Sequence, residues 1–156
     1  MVIMINWLSV YIMNKTIFIK DSQKILFVCY GNTCRSPMAE GLAKKKAGKK
    51  VVIESAGMVS AFEGAQDEAI AVMQEFYEVD ISSHRTRNII DLDIVRFDWI
   101  IPLDSYVFEF LKINFSQLGD RMVLWDIKDP FTQGLEMYKK CAKSIQEHID
   151  QYLLLD

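Results

Sequence analysis

A short apolar segment runs directly into a polar loop and then into a helix-forming segment, and this transition constrains the fold more than any other part of the chain. Residues 24–28 form a short run that is apolar after Lys24 and partly β-branched, which is typical of a buried parallel strand. Gly31 and Asn32 both tolerate positive φ angles, so the chain can turn tightly after Cys29. Pro37 suits a first helical turn, because its missing N–H would have no partner there. The sequence therefore predicts a strand, a tight loop and a helix in close succession.

The loop carries a thiol and a guanidinium at the N-terminus of the predicted helix. Five residues separate Cys29 from Arg35, and Ser36 can cap the helix that residues 38–45 continue. Successive backbone N–H groups of such a loop can surround an anion, and the helix N-terminus adds partial positive charge. The planar fork of Arg35 can bind two oxygens of a tetrahedral oxyanion at once. The same groups favour the thiolate of Cys29, which can attack a bound phosphate and form a phosphocysteine.

Two simpler interpretations of this segment compete with the catalytic one. A cysteine after a strand is usually a small buried hydrophobic residue. Cys29 and Cys34 could instead form half of a metal site, but zinc ligands need tighter spacing and further cysteine or histidine partners. The remaining candidates are Cys141, His84 and His148, all distant in sequence. The spacing therefore predicts no metal site.

Strands and helices alternate along the rest of the chain. Strands are predicted at residues 50–54, 97–101 and 121–125, and helices at 67–77, after Asp104 and at 135–152. The last helix carries an apolar stripe that assigns Cys141 and His148 to the core. This alternation predicts one α/β domain with a four-stranded parallel sheet and helices on both faces. The Cys29 loop would lie at the carboxyl end of the first strand, where such sheets bind ligands.

The string VCYGNTCRSP at residues 28–37 resembles the phosphate-binding loop of the low-molecular-weight protein tyrosine phosphatases. Three further segments resemble that family in the same order: ESAG at 54–57, DISSHRTR at 80–87 and DPF at 129–131. Together these motifs cover roughly residues 24–156. The resemblance implies a phosphoric monoester hydrolase that dephosphorylates protein tyrosine without a metal or other cofactor.

The resemblance also assigns roles to individual residues. Cys29 would be the nucleophile, Arg35 the phosphate-binding residue, and Asp129 the general acid and base, with Asp126 as its competitor. The phosphate-binding loop would comprise Tyr30, Gly31, Asn32, Thr33, Cys34 and Ser36. Asn32 and Ser36 would share a supporting hydrogen-bond network with Ser55 and His84, and Ser36 would also donate a hydrogen bond to the Cys29 sulfur and stabilise its thiolate. Cys34 could form a reversible disulfide with Cys29, which would protect the nucleophile from over-oxidation.

The walls of the predicted pocket bear on the substrate. Tyr30, Phe62 and Phe131 would contact a phenyl phosphate, which a shorter phosphoserine could not imitate. Thr33 occupies a position that is often isoleucine in tyrosine-specific members; a polar residue there, with Asp-Pro-Phe, resembles the protein arginine phosphatase branch. That branch generally lacks the His-Arg-x-Arg segment that begins here at His84. We therefore expect a phosphotyrosine phosphatase, with a protein arginine phosphatase as the alternative.

Two further alternatives are less favoured. Arsenate reductases of this fold pass a disulfide through two further cysteines on a mobile loop, whereas this chain offers only Cys141. An anion-binding module without turnover is disfavoured because Cys29, Arg35 and Asp129 are all present.

Charge and cysteine content limit the partners and the compartment. The net charge of −3 gives no reason to expect nucleic acid or a membrane as a partner. The three cysteines do not have the spacing of a disulfide framework, so we expect a reducing compartment. The cytoplasm is such a compartment. We expect a phosphorylated protein as the partner, and a monomer or weak dimer.

Residues 1–20 are expected to be an N-terminal extension of a domain that spans residues 21–156. Residues 1–13 are mostly apolar but too short to cross a bilayer, which needs about 20 apolar residues, and they lack the features of a signal peptide. We interpret the extension as a start codon assigned upstream of a true start at Met13. A loosely docked peptide and a weak membrane-surface anchor are the alternatives.

Overall fold

The computed structural model describes residues 13–155, so the expectations for residues 1–12 lie outside the described residues. In chain order the helices and strands are β1 (Ile17–Ile19), β2 (Lys24–Cys29), α1 (Arg35–Ala47), β3 (Val52–Gly57), α2 (Asp67–Tyr77), β4 (Trp99–Pro102), α3 (Ser105–Asn114), α4 (Leu135–Tyr152) and β5 (Leu153–Leu155). Short 3-10 helices lie at Gly48–Lys50, Ile89–Asp91, Ile94–Arg96 and Ser116–Arg121. None of the helices in this range is both long and apolar enough to cross a membrane.

The central sheet has three parallel strands in the order β3, β2, β4. Ile25 of β2 lies level with Ile53 of β3 on one side and with Trp99 of β4 on the other. The five residues of β2 after Lys24 are buried, in agreement with the apolar run in the sequence. The end of β2 at Cys29 therefore lies at the middle of the sheet's carboxyl edge.

Alternate residues of β2 face two separate cores, one on each side of the sheet. Phe27 and Cys29 pack among buried residues of α1, α2 and α4, whereas Leu26 and Val28 pack with buried residues of α3. Cys141 is buried in the first of these cores, and His148 is half-buried with its ring 5.3 Å from that of Trp125. The predicted class, α/β with a parallel sheet and helices on both faces, is confirmed.

The predicted fourth strand is reduced to isolated pairings. Met122 forms a single parallel bridge with Ile100 of β4, and Leu124 forms one with Met13. The segment remains extended and buried, and Trp125 N donates to the carbonyl of Pro102 at 3.0 Å. Because a proline has no N–H to donate, the ladder cannot continue at the end of β4.

An additional two-stranded parallel sheet joins β1 to β5, and the sequence did not predict it. Ile17 pairs with Leu153, Phe18 with Leu154 and Ile19 with Leu155. Ile17 and Ile19 are almost fully buried and belong to the core of α1, α2 and α4. Residues 17–19 of the predicted extension thus pack against the domain, while the division at residue 20 stays a prediction.

Candidate active site

The loop between β2 and α1 turns at Asn32, whose φ of 55° lies in the left-handed region. Gly31 stays outside that region, so only one of the two predicted positions uses its conformational freedom. The end of β3 approaches the turn closely: a Cβ on Gly57 would lie 2.9 Å from both Asn32 N and Gly31 C. The glycine of the ESAG segment is therefore required by backbone contact.

The sulfur of Cys29 lies inside this loop. Asn32 N donates a hydrogen bond to Cys29 Sγ at 3.2 Å, and Ser36 Oγ lies 3.0 Å from the same sulfur. Ser36 is not the helix cap that the sequence predicted, because Cys34 occupies the N-cap position. Asn32 Nδ2 donates to Ser36 Oγ at 2.8 Å, which leaves the Ser36 proton free for the sulfur. The hydroxyl thus serves the thiol rather than the helix end.

Asn32 is fully buried and its amide nitrogen joins two serines. Besides Ser36 Oγ, Asn32 Nδ2 donates to Ser55 Oγ at 3.0 Å, and Ser55 Oγ donates in turn to Glu40. Ser55 was predicted to support the loop, whereas Glu40 was not singled out. Glu40 lies in the second turn of the following helix. The sequence marks it only as an acidic residue in a predicted helix.

The segment after α2 contacts the other polar atoms of Asn32. His84 Nε2 lies 2.9 Å from the Asn32 carbonyl oxygen and must carry the proton, since a carbonyl only accepts. Arg87 N donates to Asn32 Oδ1 at 2.9 Å. The Arg87 side chain also pairs with Glu54 at 3.2 Å. His84 therefore lies beside the loop, as expected. The contact of Arg87 with Asn32 is made by its backbone amide, so the residue type at position 87 could not predict it.

Arg35 is buried, with only 3 % of the residue exposed. Its Nη1 donates to Asp104 Oδ2 at 2.7 Å and to the Ile127 carbonyl at 3.1 Å. Its Nη2 lies 3.4 Å from Asp129 Oδ2. Burial by itself lowers the pKa of Arg35, but the charge interactions with Cys29, Asp129 and Asp104 outweigh burial and raise that pKa above its ordinary value. Arg35 therefore stays charged at every physiological pH.

Asp104 has two contacts, of which the sequence predicted one. Its Oδ1 accepts from Val107 N at 2.8 Å and caps α3, while Oδ2 binds Arg35. The contact with Arg35 could be anticipated only from the position of Asp104, just after a strand at the carboxyl edge of the sheet.

Asp129 faces the pocket and Asp126 does not line it. Asp129 Oδ1 accepts from Phe131 N at 3.1 Å, which fixes the carboxylate in the turn, and 49 % of its side chain is exposed. Asp126 is exposed elsewhere on the surface. Of the two candidates, only Asp129 lies where an acid could reach a bound ester.

A pocket of about 140 Å³ opens above the loop. Its lining comprises Cys29, Tyr30, Gly31, Thr33, Cys34, Arg35, Val59, Ala61, Phe62, Asp129 and Phe131. The rings of Phe62 and Phe131 lie 5.9 Å apart, so two of the predicted walls contact each other. Val59 and Ala61 were not predicted. Among residues 13–155, no group of three or more His, Cys, Asp or Glu side chains is arranged to hold a metal ion.

Cys29, Cys34 and Cys141 are all free thiols, so the Cys29–Cys34 disulfide stays a prediction. Cys34 Sγ lies 3.1 Å from the hydroxyl oxygen of Tyr138, a contact from α4 that the sequence did not predict. Burial raises the pKa of Cys34, and burial raises that of Cys141 to about 12. Both therefore stay protonated at neutral pH.

Acid is expected to weaken the fold through His84. Burial lowers the pKa of His84, against the opposing effect of its hydrogen bond to the Asn32 carbonyl. The unfolded chain, with an ordinary pKa of about 6.5, therefore takes up the proton first. This contribution to stability is present above about pH 6.5 and is lost as the pH falls through the folded pKa.

Urea unfolding at pH 7.5 and 5.0 measures this effect. The wild type should lose more free energy of unfolding between the two pH values than H84Q, whose amide can still donate to the Asn32 carbonyl. Equal losses in the two proteins would contradict the assignment to His84.

Comparison with known proteins agrees with this arrangement. The sequence model of the low molecular weight phosphotyrosine protein phosphatase family matches residues 24–154. The chain is 41 % identical over 133 residues to arsenate reductase 1 of Staphylococcus haemolyticus, covering 85 % of this chain and 96 % of that protein.

Two solved structures also match, each with a TM-score of 0.76. One is a low molecular weight protein tyrosine phosphatase from T. tengcongensis, 34 % identical, covering 83 % of this chain and 97 % of that one. The other is the YwlE arginine phosphatase from Geobacillus stearothermophilus, 30 % identical, covering 83 % and 89 %. The chain therefore belongs to the low molecular weight phosphotyrosine protein phosphatase family, a family of phosphoric monoester hydrolases.

Proposed function

We propose that the protein hydrolyses phosphotyrosine in proteins through a phosphocysteine at Cys29, with Asp129 as the general acid and base. One observation carries this proposal: the Cys29 sulfur, the Arg35 guanidinium and the Asp129 carboxylate line one small pocket with apolar walls. Nucleophile, anion-binding group and acid are the three components that covalent phosphate transfer needs.

In the first step the backbone N–H groups of the loop and the fork of Arg35 bind the phosphate. Cys29 Sγ attacks phosphorus, and the bond to the tyrosine oxygen breaks. Asp129 gives its proton to that oxygen, so tyrosine leaves as a neutral phenol. The hydroxyl of Ser36, 3.0 Å from Sγ, stabilises the thiolate before attack.

In the second step water hydrolyses the phosphocysteine. The Asp129 carboxylate, formed in the first step, takes a proton from the attacking water. The S–P bond breaks and the Cys29 thiolate leaves, again stabilised by Ser36. Phosphate departs and the starting state returns.

Hydrolysis of p-nitrophenyl phosphate in the presence of EDTA tests the chemistry. We expect full activity with the chelator, because none of these steps uses a metal. Peptides carrying phosphotyrosine or phosphoserine at the same position then test the class of substrate. A phosphoserine peptide hydrolysed as fast as its phosphotyrosine counterpart would contradict a role for the aromatic walls.

A protein arginine phosphatase is the second candidate, and Thr33 is the observation that favours it. Thr33 lines the pocket with 6 % of its surface exposed, and its Oγ1 lies 3.6 Å from Cys34 Sγ. A hydroxyl in this position can accept a hydrogen bond from a guanidino N–H of phosphoarginine, which phosphotyrosine lacks.

Replacing Thr33 with isoleucine is expected to shift selectivity toward phosphotyrosine. The apolar side chain would leave a guanidino N–H without a partner, so the ratio of kcat/KM for phosphotyrosine over phosphoarginine peptides should rise about ten-fold or more. Wild-type and T33I enzymes are compared on matched peptides. A wild-type preference for phosphoarginine would overturn the first choice of substrate, and an unchanged ratio would remove Thr33 from the argument.

Arsenate reduction receives support from the similarity to arsenate reductases but not from the cysteines of this chain. Cys141 is the one thiol besides the two loop cysteines, and it is buried in α4. A relay of disulfides would need a thiol that can move to the surface. Thioredoxin-dependent reduction of arsenate by the purified protein would contradict this reasoning.

We further propose that the partners are phosphorylated proteins, that the enzyme acts as a monomer or weak dimer, and that it works in the cytoplasm. The cytoplasm is a reducing compartment, which would keep the Cys29 thiol free. Sedimentation of the purified protein tests the oligomeric state.

A further inference from the structure

A second aromatic pair lies next to the pocket and takes no part in the chemistry proposed above. The ring centroids of Tyr30 and Tyr106 are 6.4 Å apart, with an angle of 47° between the planes. Tyr30 lines the pocket, whereas Tyr106 lies beyond it. About half of Tyr30 and two thirds of Tyr106 are exposed, 48 % and 67 % respectively. The pair therefore continues the pocket wall onto the open surface.

The position of Tyr106 is fixed relative to the phosphate-binding groups. Tyr106 lies in the first turn of α3, two residues after Asp104. The Asp104 side chain caps that helix and binds Arg35 at the same time. Movement of the α3 N-terminus would disturb the ion pair with Arg35, so the tyrosine ring is held near the pocket by the same aspartate.

We propose that Tyr30 and Tyr106 form a platform for an apolar or aromatic side chain one or two positions from the phosphorylated residue of a protein substrate. This inference rests on the proposed phosphatase function. Tyrosine rings offer large contact area at low cost in side-chain entropy. Their spacing of 6.4 Å is close to the rise of two residues in an extended chain, about 3.3 Å each. A peptide whose phosphotyrosine enters the pocket beside Tyr30 would place a nearby side chain over Tyr106.

Phosphotyrosine peptides with phenylalanine, arginine or alanine scanned through positions −2 to +2 test the platform. For the wild type, kcat/KM with phenylalanine should exceed that with alanine by about five-fold at one or two positions. Y106A should lose this ratio, and Y106F should keep it, because the ring and not the hydroxyl makes the contact. The ratio compares two peptides on one variant, so a general loss of activity cancels.

Ile113 provides a matched control. Its side chain is 76 % exposed on the same helix, seven residues and about 10 Å further along the axis. I113A should keep the wild-type ratio at every position. A ratio that persists in Y106A, a wild type with no preference, or a preference for arginine in place of phenylalanine would each overturn the inference. A wild type that cannot hydrolyse p-nitrophenyl phosphate would instead refute the proposed function on which it rests.

Discussion

Replacing Cys29 with serine is expected to reduce hydrolysis of p-nitrophenyl phosphate by about 10⁴-fold or more. The serine hydroxyl is a far weaker nucleophile than a thiolate, so no phosphoenzyme should form at a useful rate. The loop itself should persist, because Asn32 donates to Ser36 and Ser55 and accepts from His84 and Arg87 independently of the sulfur. Inorganic phosphate should therefore still bind C29S within a few-fold of its wild-type affinity.

Steady-state kinetics and isothermal titration with phosphate measure the two halves of this prediction. Mass spectrometry of acid-quenched wild-type enzyme should detect a phosphoryl group that C29S lacks. C141A is the matched control, since Cys141 is a buried thiol that does not line the pocket. Loss of phosphate binding in C29S, or an equal loss of activity in C141A, would contradict the assignment of Cys29.

Replacing Asp129 with asparagine is expected to lower kcat/KM for phenyl phosphate, which reports the step that releases phenol, by about 10²- to 10⁴-fold. A phenolate is a strong base, with a conjugate acid pKa of about 10, and leaves slowly without a proton. The loss should be smaller for p-nitrophenyl phosphate, because nitrophenolate is a weaker base and needs the acid less. The difference between the two substrates separates proton donation from a general disturbance of the pocket.

Asp126 offers the control within the same segment of chain. It is exposed and does not line the pocket, so D126N should keep both rates within about two-fold of the wild type. Equal losses in D126N and D129N, or equal losses of kcat/KM for the two substrates in D129N, would contradict the role of Asp129 as the acid.

Local sequence predicted those features that depend on residues close together in the chain. The tight turn at Asn32, the helix that follows it and the cap at Asp104 each depend on a few neighbouring residues. Ser36 shows the limit of such reasoning, since its hydroxyl had two possible partners nearby. The sulfur and the Asn32 amide are its partners in the folded loop, while the helix end is left without a side-chain cap.

Contacts between distant segments could not be predicted in this way. Asp104 binds Arg35 and Tyr138 lies against Cys34 only because the sheet and helices bring them together. The residues around Tyr106 predict only an exposed position on a helix. Its proximity to Tyr30 follows from the pairing of β2 with β4. Family resemblance located Ser55 and His84 near the loop, but their atoms and partners come from the fold alone.

The pairing of β1 with β5 has a consequence for the order of folding. Ile17 and Leu153 come together only by closing a loop that contains nearly the whole domain. Closing this loop costs chain entropy, and the cost grows only slowly with loop length. Contacts formed earlier in folding must offset this cost before the two strands can pair. We therefore infer that this strand pair forms last during folding, after the central sheet and its helices have assembled.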